Sequence, residues 1–101
     1  MGIDAQLRGE DGEVLAEAGD PQMVLSRATG SQLFSTRLLR YLVPWGDAIF
    51  NQAQANDLAN DIAKVKGECP GSPLFKALSE IEPLVERLAN ESHLYLWFVG
   101  D

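Results

Sequence analysis

The sequence predicts an α+β domain in which a mostly antiparallel sheet of four to five strands carries two longer helices on one face. Three observations predict it: two stretches have the pattern of β-hairpins, two later stretches have apolar residues at helical spacing, and the chain finishes in an apolar strand. The expected element order is β-β-α-β-β-α-α-β. No repeat or low-complexity segment divides the 101 residues, so we expect residues 1–101 to form one domain.

The first 30 residues predict a hairpin followed by a short helix. Apolar and polar residues alternate at the start, as on a half-buried strand, and Asp11 with Gly12 is a strong turn signal. Asp20 precedes Pro21, which is typical of an N-cap with proline at the first helical position. The predicted elements are strands over residues 3–8 and 13–18, and a helix over residues 22–28 whose Met23, Val24 and Leu25 face the core.

A second hairpin is predicted in the middle of the chain. Apolar residues are dense between residues 36 and 43, although Arg37 and Arg40 interrupt a regular alternation. Pro44 and Gly46 favour a turn, because proline presets φ and glycine supplies conformational freedom. The predicted elements are a strand over residues 36–43, a turn over residues 44–47 and a short returning strand over residues 48–50.

Two longer helices and a final strand complete the prediction. Asn51 and Gln54 have the spacing of a capping box, and Ser72 before Pro73 is a second N-cap signal. Pro83 falls inside the second helix and predicts either a kink or two consecutive helices. The core-facing stripes are Ala55, Leu58, Ala59, Ile62 and Val65, then Leu74, Leu78, Ile81, Val85 and Leu88. Residues 93–99 form a strand that is apolar on both sides, so it is either central or an edge that pairs with another copy.

The charge of the chain bears on the class of partner. Eight Lys and Arg against fifteen Asp and Glu give a net charge of −7, which disfavours phosphate backbones and anionic membranes and permits basic partners. The segment over residues 21–50 is the exception, since it carries three arginines and one acid near Phe34, Tyr41 and Trp45. Three arginines in an acidic chain are more typical of internal ion pairs than of a phosphate track. We therefore expect no nucleic acid and no membrane among the partners.

The cysteine content and the first residues favour a cytoplasmic protein. Cys69 is the single cysteine, so it cannot form an internal disulfide and does not indicate an oxidising compartment. The first residues contain neither a basic start nor an apolar run, as a signal peptide would. We therefore expect a cytoplasmic location.

The sequence contains no catalytic or cofactor signature. Cys69 and His93 would be the smallest possible nucleophilic site, but they are far apart in sequence and nothing in the pattern places them together. Asp57 and Asp61 are four residues apart and are expected on the solvated side of an amphipathic helix. We therefore predict a protein that is not an enzyme, with no catalytic, cofactor or metal site. An enzyme that uses Cys69 as nucleophile is the alternative with the least support from the sequence.

The remaining candidate is a surface that binds another protein. The first predicted hairpin concentrates acids, and Trp45 lies at the second turn beside another acid. An exposed tryptophan beside charged residues is typical of an interface hot spot, whereas a turn tryptophan that folds onto the core is the structural alternative. The predicted partner-binding residues are Glu10, Asp11, Glu13, Glu17, Trp45 and Asp47.

Two motifs carry a resemblance to known proteins. The segment over residues 45–52, with Gly46-Asp47 followed by Phe50-Asn51, and the aromatic segment over residues 95–101, ending in Gly-Asp, resemble those of small uncharacterised bacterial proteins. In size and charge the chain is also similar to bacterial immunity proteins. That similarity implies a cognate toxin as the partner, while neither of the two motifs is a catalytic signature and neither implies an activity.

Two function hypotheses follow from these observations. In the first, the chain is an acidic immunity or inhibitor protein that neutralises a basic toxin by covering its cleft. In the second, it is a structural homo-oligomer, such as a homodimer, assembled through the C-terminal strand.

Overall fold

The computed structural model describes residues 2–100 and confirms the α+β class. Four antiparallel strands form one sheet in the order β2-β1-β4-β3. The strands are β1 (Asp4–Gly9), β2 (Val14–Ala18), β3 (Asp47–Phe50) and β4 (Leu94–Val99), and the α-helices are α1 (Val24–Ala28), α2 (Ala55–Glu68) and α3 (Pro73–Asn90).

The first hairpin is confirmed. The Gly12 amide donates to the Gly9 carbonyl at 3.0 Å, and Gly12 has φ +86°, a left-handed conformation that glycine adopts without strain. The register between β1 and β2 shifts between Leu7 and Arg8, so β2 contains a bulge near its start. The turn between β1 and β2, with its acids, lies at one end of the sheet.

The predicted strand over residues 36–43 is wrong. This segment instead contains a short 3-10 helix, Leu39–Tyr41. Leu38, Leu39 and Leu42 are all buried, and their spacing of one and four residues fits a helical turn better than a strand that alternates its side chains. The segment therefore has no strand with which β3 could form the predicted second hairpin, and β3 pairs with β4 instead.

The helix predicted after Asp20 is shorter than expected. A 3-10 helix, Pro21–Met23, comes first, and both Gln22 and Met23 have positive φ, at 60° and 56°. The Asp20 carboxylate then accepts the amides of Leu25 at 2.8 Å and Ser26 at 3.1 Å, and also that of Ile3 at 2.9 Å. Leu25 is buried as predicted, whereas Met23 is exposed, because the left-handed residues turn it out of the helical face.

The two longer helices are confirmed, with small differences. Asn51 and Gln54 form the predicted capping box, and the Ser72 hydroxyl accepts the Phe75 amide at 3.1 Å. Pro83 lies inside α3 and does not divide it into two helices. On α2 the predicted core position Ala59 is exposed, whereas the other four positions of that stripe are buried.

The core lies between the sheet and the helices. α3 packs against β1, β2 and β4, while α2 packs mainly against α3 and the 3-10 segments. The inner side of the sheet carries buried residues such as Leu7, Leu96 and Phe98, and Phe98 meets Phe50 edge to face with ring centroids 5.8 Å apart. The helices therefore cover one face of the sheet and leave the other uncovered. No helix in the described part of the chain is both long and apolar enough to cross a bilayer.

The C-terminal strand β4 is central. It pairs with β1 on one side and β3 on the other, so both of its backbone edges are occupied. Self-assembly through this strand would have to use its side chains rather than a backbone edge.

The two segments that carry the family resemblance are neighbours in the structure. β3 and β4 pair directly, and the Gly100 amide donates to the Gly46 carbonyl at 3.0 Å just beyond their paired residues. A Cβ atom on Gly100 would lie 2.6 Å from the carbonyl oxygens of both Gly46 and Pro44, so this contact needs glycine. Asp101, the last residue of the second motif, lies outside the described residues.

Candidate protein-binding surface

The predicted acids of the first hairpin lie together on its tip and its outer strand. Glu10, Asp11 and Glu13 are exposed at the turn between β1 and β2, and Glu17 is exposed on β2, the edge strand beyond β1. The structure therefore brings these four predicted residues to one edge of the sheet. We call Glu10, Asp11 and Glu13 the acidic tip.

Intramolecular contacts neutralise little of the charge at the acidic tip. The Glu10 carboxylate forms an ion pair with Nδ1 of His93, and both side chains are largely exposed. Asp11 accepts the Glu13 backbone amide at 3.0 Å, a contact that orders the turn without adding a cation. Within residues 2–100, neither Asp11 nor Glu13 forms an ion pair with a Lys or Arg side chain.

Trp45 and Asp47 lie at the opposite end of the sheet. Asp47 pairs with Val99, whereas the acidic tip follows Gly9, which pairs with Leu94. Two strand spacings and five residues along a strand separate these points, or roughly 20 Å. The structure therefore does not bring Trp45 and Asp47 together with the acidic tip.

Trp45 itself projects into solvent. Its exposed fraction is 75%, so the alternative in which it folds onto the core is wrong. It borders a cleft of about 360 Å³ whose other side includes Arg40, Thr29 and Leu42. Arg40 in turn lies over the Tyr41 ring at 5.0 Å, so an arginine and two aromatic side chains occupy this end of the molecule.

The uncovered face of the sheet connects these two ends. Along it, Ile49 on β3 is 48% exposed and Tyr95 on β4 is 36% exposed, and Trp97 between them is half-buried. Val14 on β2 is also exposed and pairs with Arg8 on this face. Apolar side chains on a face that no helix covers are typical of an interaction surface.

A chain of hydrogen bonds and one cation–π contact links three strands of this face. Gln6 on β1 donates from Nε2 to the Glu17 carboxylate at 2.7 Å, and Nε of Arg8 donates to the Gln6 oxygen at 3.0 Å. The Arg8 guanidinium then lies 4.1 Å from the centroid of the Trp97 ring. These contacts hold the long polar side chains in one arrangement, which reduces the entropy lost when a partner binds.

Sequence reasoning missed the outward side of β4 as part of a site. The strand is apolar on both sides, a pattern that equally describes a strand covered on both faces. The signal that distinguishes the cases is in the neighbouring strand, since β1 alternates buried Ala5 and Leu7 with polar Gln6 and Arg8. Once the structure shows that β1 and β4 are adjacent, the polar outward side of β1 indicates that the outward side of β4 also faces solvent.

The residues considered for catalysis have different partners. The Cys69 thiol donates to the Val65 carbonyl at 3.1 Å, while His93 pairs with Glu10, and no hydrogen bond links the thiol to the imidazole among the described residues. Within residues 2–100, no three His, Cys, Asp or Glu side chains lie close enough together to hold a metal ion.

Asp61 corrects the expectation for the acids of α2. It was expected on the solvated side of the helix, but it is only 7% exposed. Its carboxylate accepts the amides of Leu38 at 2.6 Å and Leu39 at 3.1 Å. Asp57 is half-buried, and its carboxylate lies 3.8 Å from Nε of Arg37. Asp61 therefore has a structural role that its amphipathic spacing conceals.

Comparisons with protein-family models, curated proteins and solved structures found no match to this chain.

Proposed function

We propose that the protein is a binding module for a basic protein, and specifically an immunity or inhibitor protein that covers the basic cleft of a toxin. The observation that carries the proposal is the acidic tip, which lies beside a sheet face that no helix covers. Carboxylates that form no ion pair with Lys or Arg, such as those of Asp11 and Glu13 among the described residues, attract a basic surface, and the apolar residues beside them offer area to bury.

The dimensions of the surface also support this proposal. A protein interface of ordinary size buries about 800 Å² on each partner, which is a patch roughly 30 Å across. The molecule measures 33 × 26 × 20 Å, so one such partner covers the uncovered face from the acidic tip to Asp47. All six predicted residues can then contribute to one interface, with the apolar side chains of β3 and β4 at its centre.

The resemblance to small bacterial proteins supports the proposal through size and charge. A net charge of −7 on 101 residues gives an electrostatic field that speeds association with a basic partner. A cytoplasmic inhibitor of this kind binds its partner without chemistry of its own, so it needs no catalytic, cofactor or metal site.

The second candidate is a homodimer in which the uncovered faces of two copies meet. The exposed apolar residues Ile49, Tyr95 and Val14 favour it. The charge opposes it, because each copy carries −7 and a two-fold axis would bring two acidic faces together.

One experiment distinguishes these two candidates. The tagged protein is used to capture a partner from the source cells, and the association rate of the purified pair is measured from low to high salt; light scattering measures the mass of the free protein. We expect a monomer and an association rate that falls by about tenfold or more with added salt. A concentration-dependent dimer with no captured partner would replace the binding module with the homodimer.

A further inference from the structure

The uncovered face of the sheet contains a depression of about 290 Å³ next to the acidic tip. Tyr95 and Trp97 of β4 and Ile49 of β3 form its apolar part, and Glu10 is the acidic residue of its lining on the hairpin side. Gly9 and Gly12 complete the lining. The depression is therefore open to solvent, aromatic on one side and acidic on the other.

The backbone explains why this space is open. β3 ends at Phe50, which pairs with Leu96, so Tyr95 has a neighbour on β1 but none on β3. On the hairpin side, Gly12 has no side chain and no atom lies within 4 Å of where a Cβ would be. The end of one strand and a turn built from glycine thus leave room for an incoming side chain.

The chemistry of this depression fits a cationic side chain. An aliphatic stem can pack on the aromatic rings while its charged head reaches the carboxylate. The protein already contains this type of contact twice: Arg8 lies over Trp97 at 4.1 Å, and Lys66 lies over Phe75 at 4.5 Å while it pairs with Glu82 at 2.7 Å. The second example combines an aromatic ring and a carboxylate around one lysine.

We propose that this depression receives a Lys or Arg side chain of the partner, with Glu10 binding its charge and Tyr95 and Trp97 packing on its stem. This inference rests on the proposed function, because the occupant belongs to a basic protein. It adds two details to the proposed function: the depression is the anchor, the place where a side chain of the partner is held, and that side chain is cationic.

Two basic side chains of the protein itself, His93 and Arg8, contact residues that line the depression. His93 pairs with Glu10 but is largely exposed, so an incoming cation can displace the imidazole at small cost. Arg8 carries a positive charge beside Trp97 and is held by Gln6. The three carboxylates of the acidic tip outnumber the Arg8 guanidinium, so the local field still favours a cation.

The test uses a small probe rather than the partner. Nα-acetyl-arginine methylamide is titrated into the ¹⁵N-labelled protein, and the citrulline derivative, which has the same shape without the charge, serves as the control probe. We expect the arginine probe to shift the amides of Gly9 and Gly12 and the indole of Trp97, and the citrulline probe to shift them little. Equal shifts with both probes, or shifts spread over all acidic residues, would overturn the proposal.

Two variants with the same change in charge sharpen the test. Glu10→Gln should weaken binding of the arginine probe about fivefold, whereas Glu13→Gln, on the same tip but outside the depression, should weaken it less than about twofold. Both side chains are exposed, so both variants should fold, and the NMR spectrum checks this directly. Equal weakening by the two variants would show a diffuse charge effect and would contradict an anchor at Glu10.

A third variant examines the competition by His93. His93 has φ +63°, a left-handed conformation that asparagine also tolerates, so His93→Asn removes the imidazole without straining the turn. We expect the variant to bind the arginine probe at least as tightly as the native protein, and weaker binding would contradict the displacement.

If a basic partner is captured while the probe fails to bind here, the anchor is wrong and the proposed function stands. If the probe binds in the depression but no basic partner is captured, the depression does bind a cationic side chain and the proposed function is wrong.

Discussion

The carboxylate of Asp61 on α2 accepts the backbone amide of Leu38 at 2.6 Å, across 23 residues of sequence. The same oxygen accepts the Leu39 amide at 3.1 Å, which begins the 3-10 helix Leu39–Tyr41. A strand at this position would donate such amides to a neighbouring strand, whereas here a buried side chain receives them. The contact therefore ties the irregular middle of the chain to the helical layer.

We predict that Asp61→Ala lowers the free energy of unfolding by about 2–4 kcal/mol, because it leaves two buried amides without an acceptor. Asp61→Asn keeps one acceptor oxygen and should cost less. Urea unfolding of each variant measures the difference.

Asp57→Ala is the matched control, since Asp57 lies one turn earlier on the same helix and is much more exposed than Asp61. Its effect should stay within about 1 kcal/mol. Equal losses for the two alanine variants would mean that the buried contact contributes nothing beyond the loss of an acid from α2.

We predict that Gly100→Ala lowers the free energy of unfolding by about 1–3 kcal/mol. The added Cβ would lie 2.6 Å from the carbonyl oxygens of Pro44 and Gly46, and these are backbone atoms that cannot rotate away. The turn that carries Trp45 would have to move, so the fluorescence of the variant should also change.

Gly67→Ala in α2 is the control, and it should raise the free energy of unfolding rather than lower it. Apart from its chain neighbours and the backbone of its own helix, no atom lies within 4 Å of the new Cβ, and alanine is favoured over glycine within a helix, so this variant should gain about 0.5–1 kcal/mol. Thermal unfolding of both variants measures the two signs, and a stabilised Gly100→Ala would refute the close approach of the two segments.

The pH dependence of Glu91 follows from its pair with Arg87 at the end of α3. The hydrogen bond from Arg87, at 2.8 Å, holds the pKa of the Glu91 carboxyl below its ordinary value, and the positive charge of the guanidinium acts in the same direction. Because the pKa is lower in the folded state, this contribution to stability is present above the unfolded pKa. It is lost as the pH falls through the folded pKa.

Titration of the Glu91 carboxyl by NMR should therefore give a midpoint below that of an unfolded glutamate. Arg87→Gln should return the midpoint to the unfolded value. Both side chains are exposed, so the effect is confined to this pair, and an unchanged midpoint in the variant would exclude the hydrogen bond as the cause.

Turn and capping patterns in the sequence predicted much of this fold, because each of these structures depends on residues that are close together in the chain. The turn at Gly12, the capping box of Asn51 and Gln54, and the N-cap at Ser72 each depend on residues within a few positions. The prediction of a strand over residues 36–43 was wrong because the conformation of this segment depends on a residue that is distant in the sequence. That residue is Asp61, whose burial results from tertiary packing that periodicity along α2 does not reveal.

The candidate site shows the same division between local and long-range information. Exposed acids at a hairpin tip could be predicted, because turns lie at the surface and Glu10, Asp11 and Glu13 surround one. The strand order could not be predicted, because β4 reaches its place between β1 and β3 after two helices. Only that order shows that Tyr95 and Trp97 lie on the uncovered face beside the acidic tip.

We predict that a basic partner binds the acidic tip and the uncovered sheet face, so charge reversal at the hairpin should weaken binding more than the same reversal on the helices. One variant carries Glu10→Lys, Asp11→Lys and Glu13→Lys; the other carries Glu68→Lys, Glu80→Lys and Glu86→Lys, which are exposed on the helices. Each reversal adds two charges, so both variants change from −7 to −1.

The dissociation constant for the captured partner is measured for both variants by calorimetry at one ionic strength. We predict that the hairpin variant binds at least about a hundredfold more weakly than the native protein, while the helix variant weakens binding less than about fivefold. Equal weakening by the two variants would show that net charge alone attracts the partner. A larger loss in the helix variant would place the binding surface on the helical layer and contradict the account.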